Sequence, residues 1–120
     1  MTRDSPQTYN AVMSTTASPV ASKTEVIQIL RENAESIRNL GVVQLGLFGS
    51  FVREEQTATS DVDILIDFAE GQATFDNFMD FCFLLEDAFG RKVEVVTAKY
   101  LSPYIGPHIL REVEYVSLDG

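Results

Sequence analysis

Asp61 and Asp63 are two residues apart in Asp61-Val-Asp-Ile-Leu-Ile-Asp67, where Val62, Ile64 and Ile66 take the alternate positions. Residues i and i+2 of a strand project to the same face, so the two carboxylates stand together. Left unpaired and partly buried, they repel each other at considerable cost. A divalent cation relieves that repulsion, and hard oxygen ligands in this arrangement suit Mg²⁺. Gly49-Ser50, separated from Asp61 by ten residues, closes an apolar run. A glycine at that point lets backbone N–H groups approach a phosphate, and the Ser50 hydroxyl adds a donor. Phosphate anchor and metal-binding pair are the minimum set for in-line phosphoryl transfer, where positioning and charge neutralisation supply most of the catalysis. Glu94, in Val93-Glu94-Val95, offers a third carboxylate that could ligate a metal and accept the proton of an attacking hydroxyl. Arg53 and Ser60 join Gly49 and Ser50 as candidates for nucleotide binding.

Each residue also has a plainer reading. Asp61 and Asp63 could cap a solvated strand end, and Gly49-Ser50 alone is an ordinary strand-to-helix turn. Glu94 could be a surface glutamate of a strand. Arg53 could pair with Glu54, Glu55 or Asp67 and touch no phosphate. The combination of pair and turn favours the chemical reading of the aspartates. His108 has no second His or Cys near it in sequence and reads as structural or exposed, while Cys82 falls on an apolar helix face and reads as core.

These residues need a scaffold, and hydrophobic periodicity outlines one. Ser22-Lys-Thr-Glu25 fits a capping box, followed at helical spacing by Val26, Ile27, Leu30, Ala34 and Ile37, with Gly41 as a C-cap. The pattern predicts one helix over about 23–40. Val42–Phe48 reads as a buried strand, Phe51–Glu55 as a helical turn and Gln56–Ser60 as a polar loop. Asp61–Asp67 is a second strand of period two. Phe75, Phe78, Met79, Cys82, Leu85 and Phe89 mark a helix from Thr74 to Gly90, while Phe81, Phe83 and Leu84 widen its apolar face and hint at a partner surface. Lys92–Thr97 is a third strand, and Ile109–Val113 one more helical turn beyond Pro103 and Pro107. The expected fold class is α/β (α+β): a small mixed β-sheet of three to four strands with flanking helices.

The 120 residues suffice for one domain, expected over 22–120. Residues 1–21, rich in Ser, Thr, Pro and Ala without apolar period, read as a disordered N-terminal tail. Nine basic against eighteen acidic residues give a net charge of −9, which disfavours direct nucleic-acid binding and favours cations and basic proteins as partners. Cys82 is the sole cysteine, so intrachain disulfides and cysteine-based zinc sites are excluded and a reducing, cytoplasmic setting is expected. The start carries no apolar core of a secretory signal, and the longest fully apolar run, Phe81–Leu85, falls far short of the ~20 residues of a membrane span.

Leu47-Phe-Gly-Ser50, ten further residues and Asp61-Val-Asp63 resemble the signature of the minimal nucleotidyltransferases of the DNA polymerase β superfamily. The similarity continues through Asp67-Phe68, Gly90-Arg-Lys-Val-Glu-Val-Val-Thr97 and Leu101-Ser-Pro-Tyr104 to Ile109-Leu-Arg-Glu112, and so spans about residues 24–117. That longer pattern resembles the MNT antitoxins, which are paired with HEPN-domain ribonuclease toxins in type VII-like toxin–antitoxin systems. The resemblance implies a polymerase β-like fold and a Mg²⁺-dependent protein adenylyltransferase that uses ATP, with two ions during catalysis. It implies that AMP moves to a tyrosine of the cognate HEPN toxin. By position, Gly49 and Ser50 hold the triphosphate, Asp61 and Asp63 bind metal, and Arg53 lies near phosphate. Glu94 stands where the family usually has aspartate, and Glu54 where it often has glycine. Two alternatives stay open: a scaffold of weak activity that neutralises the toxin by binding alone, and transfer to a small molecule.

Overall fold

A computed structural model of the chain describes residues 19–119. The segment 1–18, most of the expected tail, lies outside the described residues. The packed chain begins at Val20, two positions before the expected edge at Ser22. Val20 is buried, and its amide donates to the Phe89 carbonyl at 2.9 Å.

The first helical stretch is interrupted where the sequence predicts one helix. α1 spans Lys23–Glu32 and α2 spans Ala34–Asn39. Asn33 separates them with φ −104° and ψ 13°, outside helical geometry, while its amide and its Nδ2 both donate to the Ile29 carbonyl, at 3.1 and 2.9 Å. Half of the capping box forms, with Ser22 Oγ accepting from the Glu25 amide at 3.1 Å, while Glu25 Oε1 reaches one residue past the cap to accept from the Ala21 amide at 2.7 Å. β1 (Val42–Phe48), the single-turn α3 (Ser50–Arg53), β2 (Val62–Phe68), α4 (Phe75–Phe89) and β3 (Val93–Thr97) follow in the expected order. A 3₁₀ turn, Ala98–Tyr100, leads to α5 (Gly106–Glu112), which begins earlier than the predicted turn, and then to the short β4 (Glu114–Tyr115).

The four strands form one mixed sheet in the order β3-β2-β1-β4. β1 runs antiparallel to β2 and β4, whereas β2 and β3 are parallel. Alternation divides the side chains between two faces, interrupted in β1 by an irregularity between Val42 and Gln44. Leu45, Leu47, Val62, Ile64 and Ile66 join Val26, Leu30, Ile37, Phe51, Phe81, Leu85 and Phe89 in the main core. Within α4 the buried stripe is therefore Phe81, Leu85 and Phe89, and Phe75, expected among the core-facing residues, is 77% exposed at the helix start. The opposite face carries a smaller cluster of Phe48, Leu65 and Ile109, where α5 packs on the sheet. Asp63 shares that second face, one alternation beyond Leu65. Among the described residues, no helix is long and apolar enough to cross a membrane.

Candidate active site

Asp63 lies at the meeting point of three strands. Its ladder partners are Phe48, the last residue of β1, and Glu94 of β3. Paired positions on adjacent strands point the same way, so Asp63 and Glu94 stand side by side on the second face. Asp61, exposed and just ahead of β2, is on that face by period. Parallel pairing of β2 with β3, which no local pattern announces, is what brings Glu94 to the pair.

Gly49 completes the arrangement from β1. Its φ of 78° is in the left-handed region that favours glycine, and a Cβ there would overlap the Asp63 carboxylate at Oδ2. The glycine thus lets the turn into α3 lie directly against Asp63. Its amide is engaged within the protein: it donates to Glu112 Oε2 at 2.7 Å. The sequence reading directs that N–H at a phosphate, whereas the folded chain gives it to a carboxylate 63 residues away. Glu112, at the end of α5, also accepts from Arg53 Nη1 at 2.8 Å, and Arg53 Nε donates to Glu55 Oε1 at 3.0 Å. Arg53 therefore pairs with one of its anticipated partners, Glu55, and with Glu112, to which the residue pattern assigned no role.

The acids of this face differ in their electrostatics. Burial pushes the Asp63 carboxyl up from 3.8 to about 6, assisted by the negative charges of Glu94, Asp61 and Glu112 and opposed by Arg53. Burial acts the same way on Glu112, but the hydrogen bonds from Arg53 and the Gly49 amide outweigh it and hold that carboxyl below its usual range. Asp63 is thus a half-buried carboxylate short of positive partners, on a face with three further acids. Hard oxygen donors with that deficit fit a Mg²⁺ ion. Among the described residues, no three acidic, His or Cys side chains gather tightly enough to hold a metal by themselves. Mg²⁺ commonly takes only one or two carboxylates and completes its shell with substrate phosphates and water.

The loop before Asp61 is pinned by a residue that sequence reasoning missed. Arg91 Nη1 donates to the carbonyls of Thr57, Ala58 and Ser60 at 3.0, 3.1 and 2.9 Å, and its Nε donates to the Val20 carbonyl at 2.6 Å. The same guanidinium lies 5.2 Å from the centroid of the Phe51 ring. An arginine between Gly90 and a strand offers no periodic signal for such a role. Ser60 takes part in this loop: its Oγ accepts from the Thr57 amide at 2.8 Å. His108 is exposed, with Nδ1 3.4 Å from Arg111 Nη2. Cys82 is half-buried on α4, where burial raises its thiol pKa.

A mixed sheet that presents clustered carboxylates beside a strand–glycine–helix turn defines a class, the nucleotidyltransferase fold. Comparison with known proteins gives the family. The nucleotidyltransferase domain family matches residues 24–116. The protein adenylyltransferase MntA of Thermococcus cleftensis is 39% identical over 93 residues, covering 77% of this chain and 93% of the relative. A solved structure described as a minimal nucleotidyltransferase superposes with a TM-score of 0.61 at 30% identity, covering 73% of this chain and 93% of the other. A more distant structure shares the fold: the Shewanella oneidensis complex of a tri-AMPylated HEPN toxin with its MNT antitoxin. It superposes at TM-score 0.54 and 18% identity, over 78% of this chain and 72% of the other. The chain belongs to the nucleotidyltransferase domain family, in the branch of the protein adenylyltransferases.

Proposed function

We propose that this chain is the antitoxin of a HEPN/MNT pair, acting as a protein adenylyltransferase that moves AMP from ATP to a tyrosine of its cognate HEPN toxin. The observation that carries the catalytic reading is Asp63, a half-buried carboxylate pushed up to about 6 on a face with Asp61, Glu94 and Glu112. An acid cluster that the fold leaves uncompensated is the expected resting state of a site completed by cation and phosphate.

In this reading Asp61 and Asp63, joined by Glu94, would hold Mg²⁺. Bound there, Mg²⁺ supplies neutralisation of the charge that builds on the phosphate oxygens. Ser50 and Arg53, on the turn that Gly49 opens, orient the triphosphate so that the α-phosphorus faces the acceptor hydroxyl. Glu94, exposed beside Asp63, takes the proton of that hydroxyl as its oxygen attacks. The new bond is from acceptor oxygen to α-phosphorus, the bond to the bridging oxygen of the β-phosphate breaks, and diphosphate leaves. Similarity to relatives named as protein adenylyltransferases favours an acceptor carried by a partner protein over a small molecule. The exposed Tyr100, Tyr104 and Ile105, on the segment that follows β3, are apolar surface suited to such a partner. Soluble cytoplasmic residence belongs to the same proposal.

The test is incorporation of label from α-labelled ATP into the cognate toxin. Asp61→Ala with Asp63→Ala is expected to lower it by on the order of 10³-fold or more. Persistent labelling by the double variant would reject the site. Full neutralisation of the toxin by that variant in cells, without labelling, would favour neutralisation by binding alone.

A further inference from the structure

Glu112 is remote in sequence from every residue of the proposed site, yet it ties down the turn on which that site depends. Its two carboxylate oxygens are divided between the two ends of that turn: Oε2 accepts the Gly49 N–H at 2.7 Å and Oε1 accepts Arg53 Nη1 at 2.8 Å. Between these points lies α3, only four residues long. A single turn has little stability of its own, because the cost of nucleating a helix is not recovered over so few residues. An external bidentate acceptor sets both the peptide plane that opens the turn and the guanidinium that closes it. Charge-assisted bonds of this length are the strong ones, and two on one carboxylate fix direction as well as distance.

The anchoring element is itself fixed. Ile109 of α5 packs with Phe48 and Leu65 on the sheet, and Val113 leans on the same cluster. Immediately beyond, β4 pairs with β1 through Gly46 and Leu47. Glu112 therefore reaches the turn from a support that is docked on the strand from which the turn emerges. With Nε on Glu55 and Nη1 on Glu112, Arg53 is held at two nitrogens, and among the described residues its Nη2 has no protein acceptor.

We propose that Glu112 is a positioning residue for nucleotide binding: it holds the Gly49–Ser50 turn against Asp63 and aims the Arg53 guanidinium at the triphosphate. The inference rests on the nucleotidyl-transfer reading of the site. Glu112 touches no reacting atom; it acts through Gly49 and Arg53, so its loss should appear in nucleotide affinity ahead of the rate of the bound complex.

The experiment measures binding of Mg²⁺·ATP to the full chain by calorimetry, beside a urea melt of each variant. Glu112→Gln keeps the size and one acceptor but loses the charge shared with Arg53. A dissociation constant about tenfold weaker is expected, together with a KM for ATP raised by a similar factor and kcat within about threefold of the wild type. In an Arg53→Gln background, adding Glu112→Gln should weaken binding by less than about twofold, because both changes remove one unit. A purely structural role would lower the melting midpoint and leave affinity and coupling unmoved. Should Glu112→Gln fail to fold, Glu112→Asp replaces it. That variant keeps the charge but is too short to span both donors, and about threefold weaker binding is expected on the same scale. Wild-type affinity in either folded variant overturns the proposal. Absence of ATP binding and AMP transfer in the wild type itself would instead overturn the nucleotidyl-transfer reading.

Discussion

Asp63 and Glu112 are carboxylates at the same end of the same sheet face, and the fold treats them in opposite ways. Glu112 receives an amide and a guanidinium, one on each oxygen, and its carboxyl is held below the usual range. Asp63 is placed deeper, next to Glu94 across the ladder and Asp61 along the chain, and is pushed up to about 6. Arg53 could have been spent on the acid in greater need, yet both of its ion pairs go to Glu112 and Glu55. The difference separates two kinds of acid. A compensated carboxylate is a structural fastener, while an uncompensated cluster costs stability that the fold does not recover from its own groups. Proteins keep such a cluster where something other than the protein completes it.

Gly49 joins the two regions, so its substitution tests the comparison most severely. Its amide belongs to Glu112, and its Cα faces Asp63. Gly49→Ala would impose φ 78° and ψ −155°, a conformation nearly confined to glycine, on a residue with a Cβ, costing about 1–3 kcal/mol. The overlap with Asp63 Oδ2 adds about 1–3 kcal/mol if the carboxylate or the turn must shift. A loss of about 2–6 kcal/mol is expected in chemical denaturation, with a fall in melting temperature of at least about 10 °C. A variant within about 0.5 kcal/mol of wild type would mean that turn and carboxylate are not held together as described.

The next effect is smaller and carries a sign. A carboxyl raised from 3.8 to about 6 binds its proton more tightly in the folded chain than in the unfolded one. Stability therefore falls as pH rises through that interval, and the penalty is complete above it. The full shift corresponds to about 3 kcal/mol, which solvent screening of this half-exposed group reduces to about 1–2 kcal/mol. In metal-free buffer Asp63→Asn should thus exceed wild type by that amount at pH 8, with the advantage vanishing near pH 4. Mg²⁺ at pH 8 should narrow the gap by stabilising wild type more than the variant. A gap that is constant from pH 4 to 8 would locate the strain in packing instead of charge. For Glu112 the sign is the reverse: its contribution is present above the ordinary carboxylate range and is lost as pH falls through its depressed value.

What could be read in the sequence follows the range over which the physics acts. A short apolar run bounded by glycines gave β1, alternation gave β2, three- and four-residue spacing gave the main helices, and Ser22 with Glu25 gave the first cap, because each signal is contained within one element. The same locality exposed Asp61 and Asp63 as a pair. The break at Asn33 was hidden because the helical spacing continues across it, and only the backbone angles of that residue mark it. Spacing assigned Phe75 to the core stripe and Phe81 to a widened partner face, and the docking of α4 reverses the two, burying Phe81 and exposing Phe75. The fastening of the site was not legible at all. Arg91 and Glu112 act on turns about thirty and sixty residues away, through contacts that exist only once strand order and the seat of α5 are set.

Glu54 provides the smallest effect and the control for net charge. It takes φ 58°, the only non-glycine among the described residues with positive φ, a conformation that favours glycine. Glu54→Gly removes left-handed strain of about 1–2 kcal/mol, while the added freedom of the unfolded chain returns about 0.5–1 kcal/mol. The contact with Lys23, 3.9 Å long and largely exposed, contributes little. A net gain of about 0.5 kcal/mol is expected, measurable by urea denaturation. The charges that raise Asp63 are Glu94, Asp61 and Glu112, and Glu54 is not one of them. The pH dependence of stability should therefore stay that of wild type in Glu54→Gly, although the chain loses one unit of its −9 charge. A flattened profile would show that Asp63 responds to the summed charge of the molecule, and the contrast with Glu112 would then be global in origin. An unchanged profile beside the altered one of Asp63→Asn confines the effect to the residues that share its face.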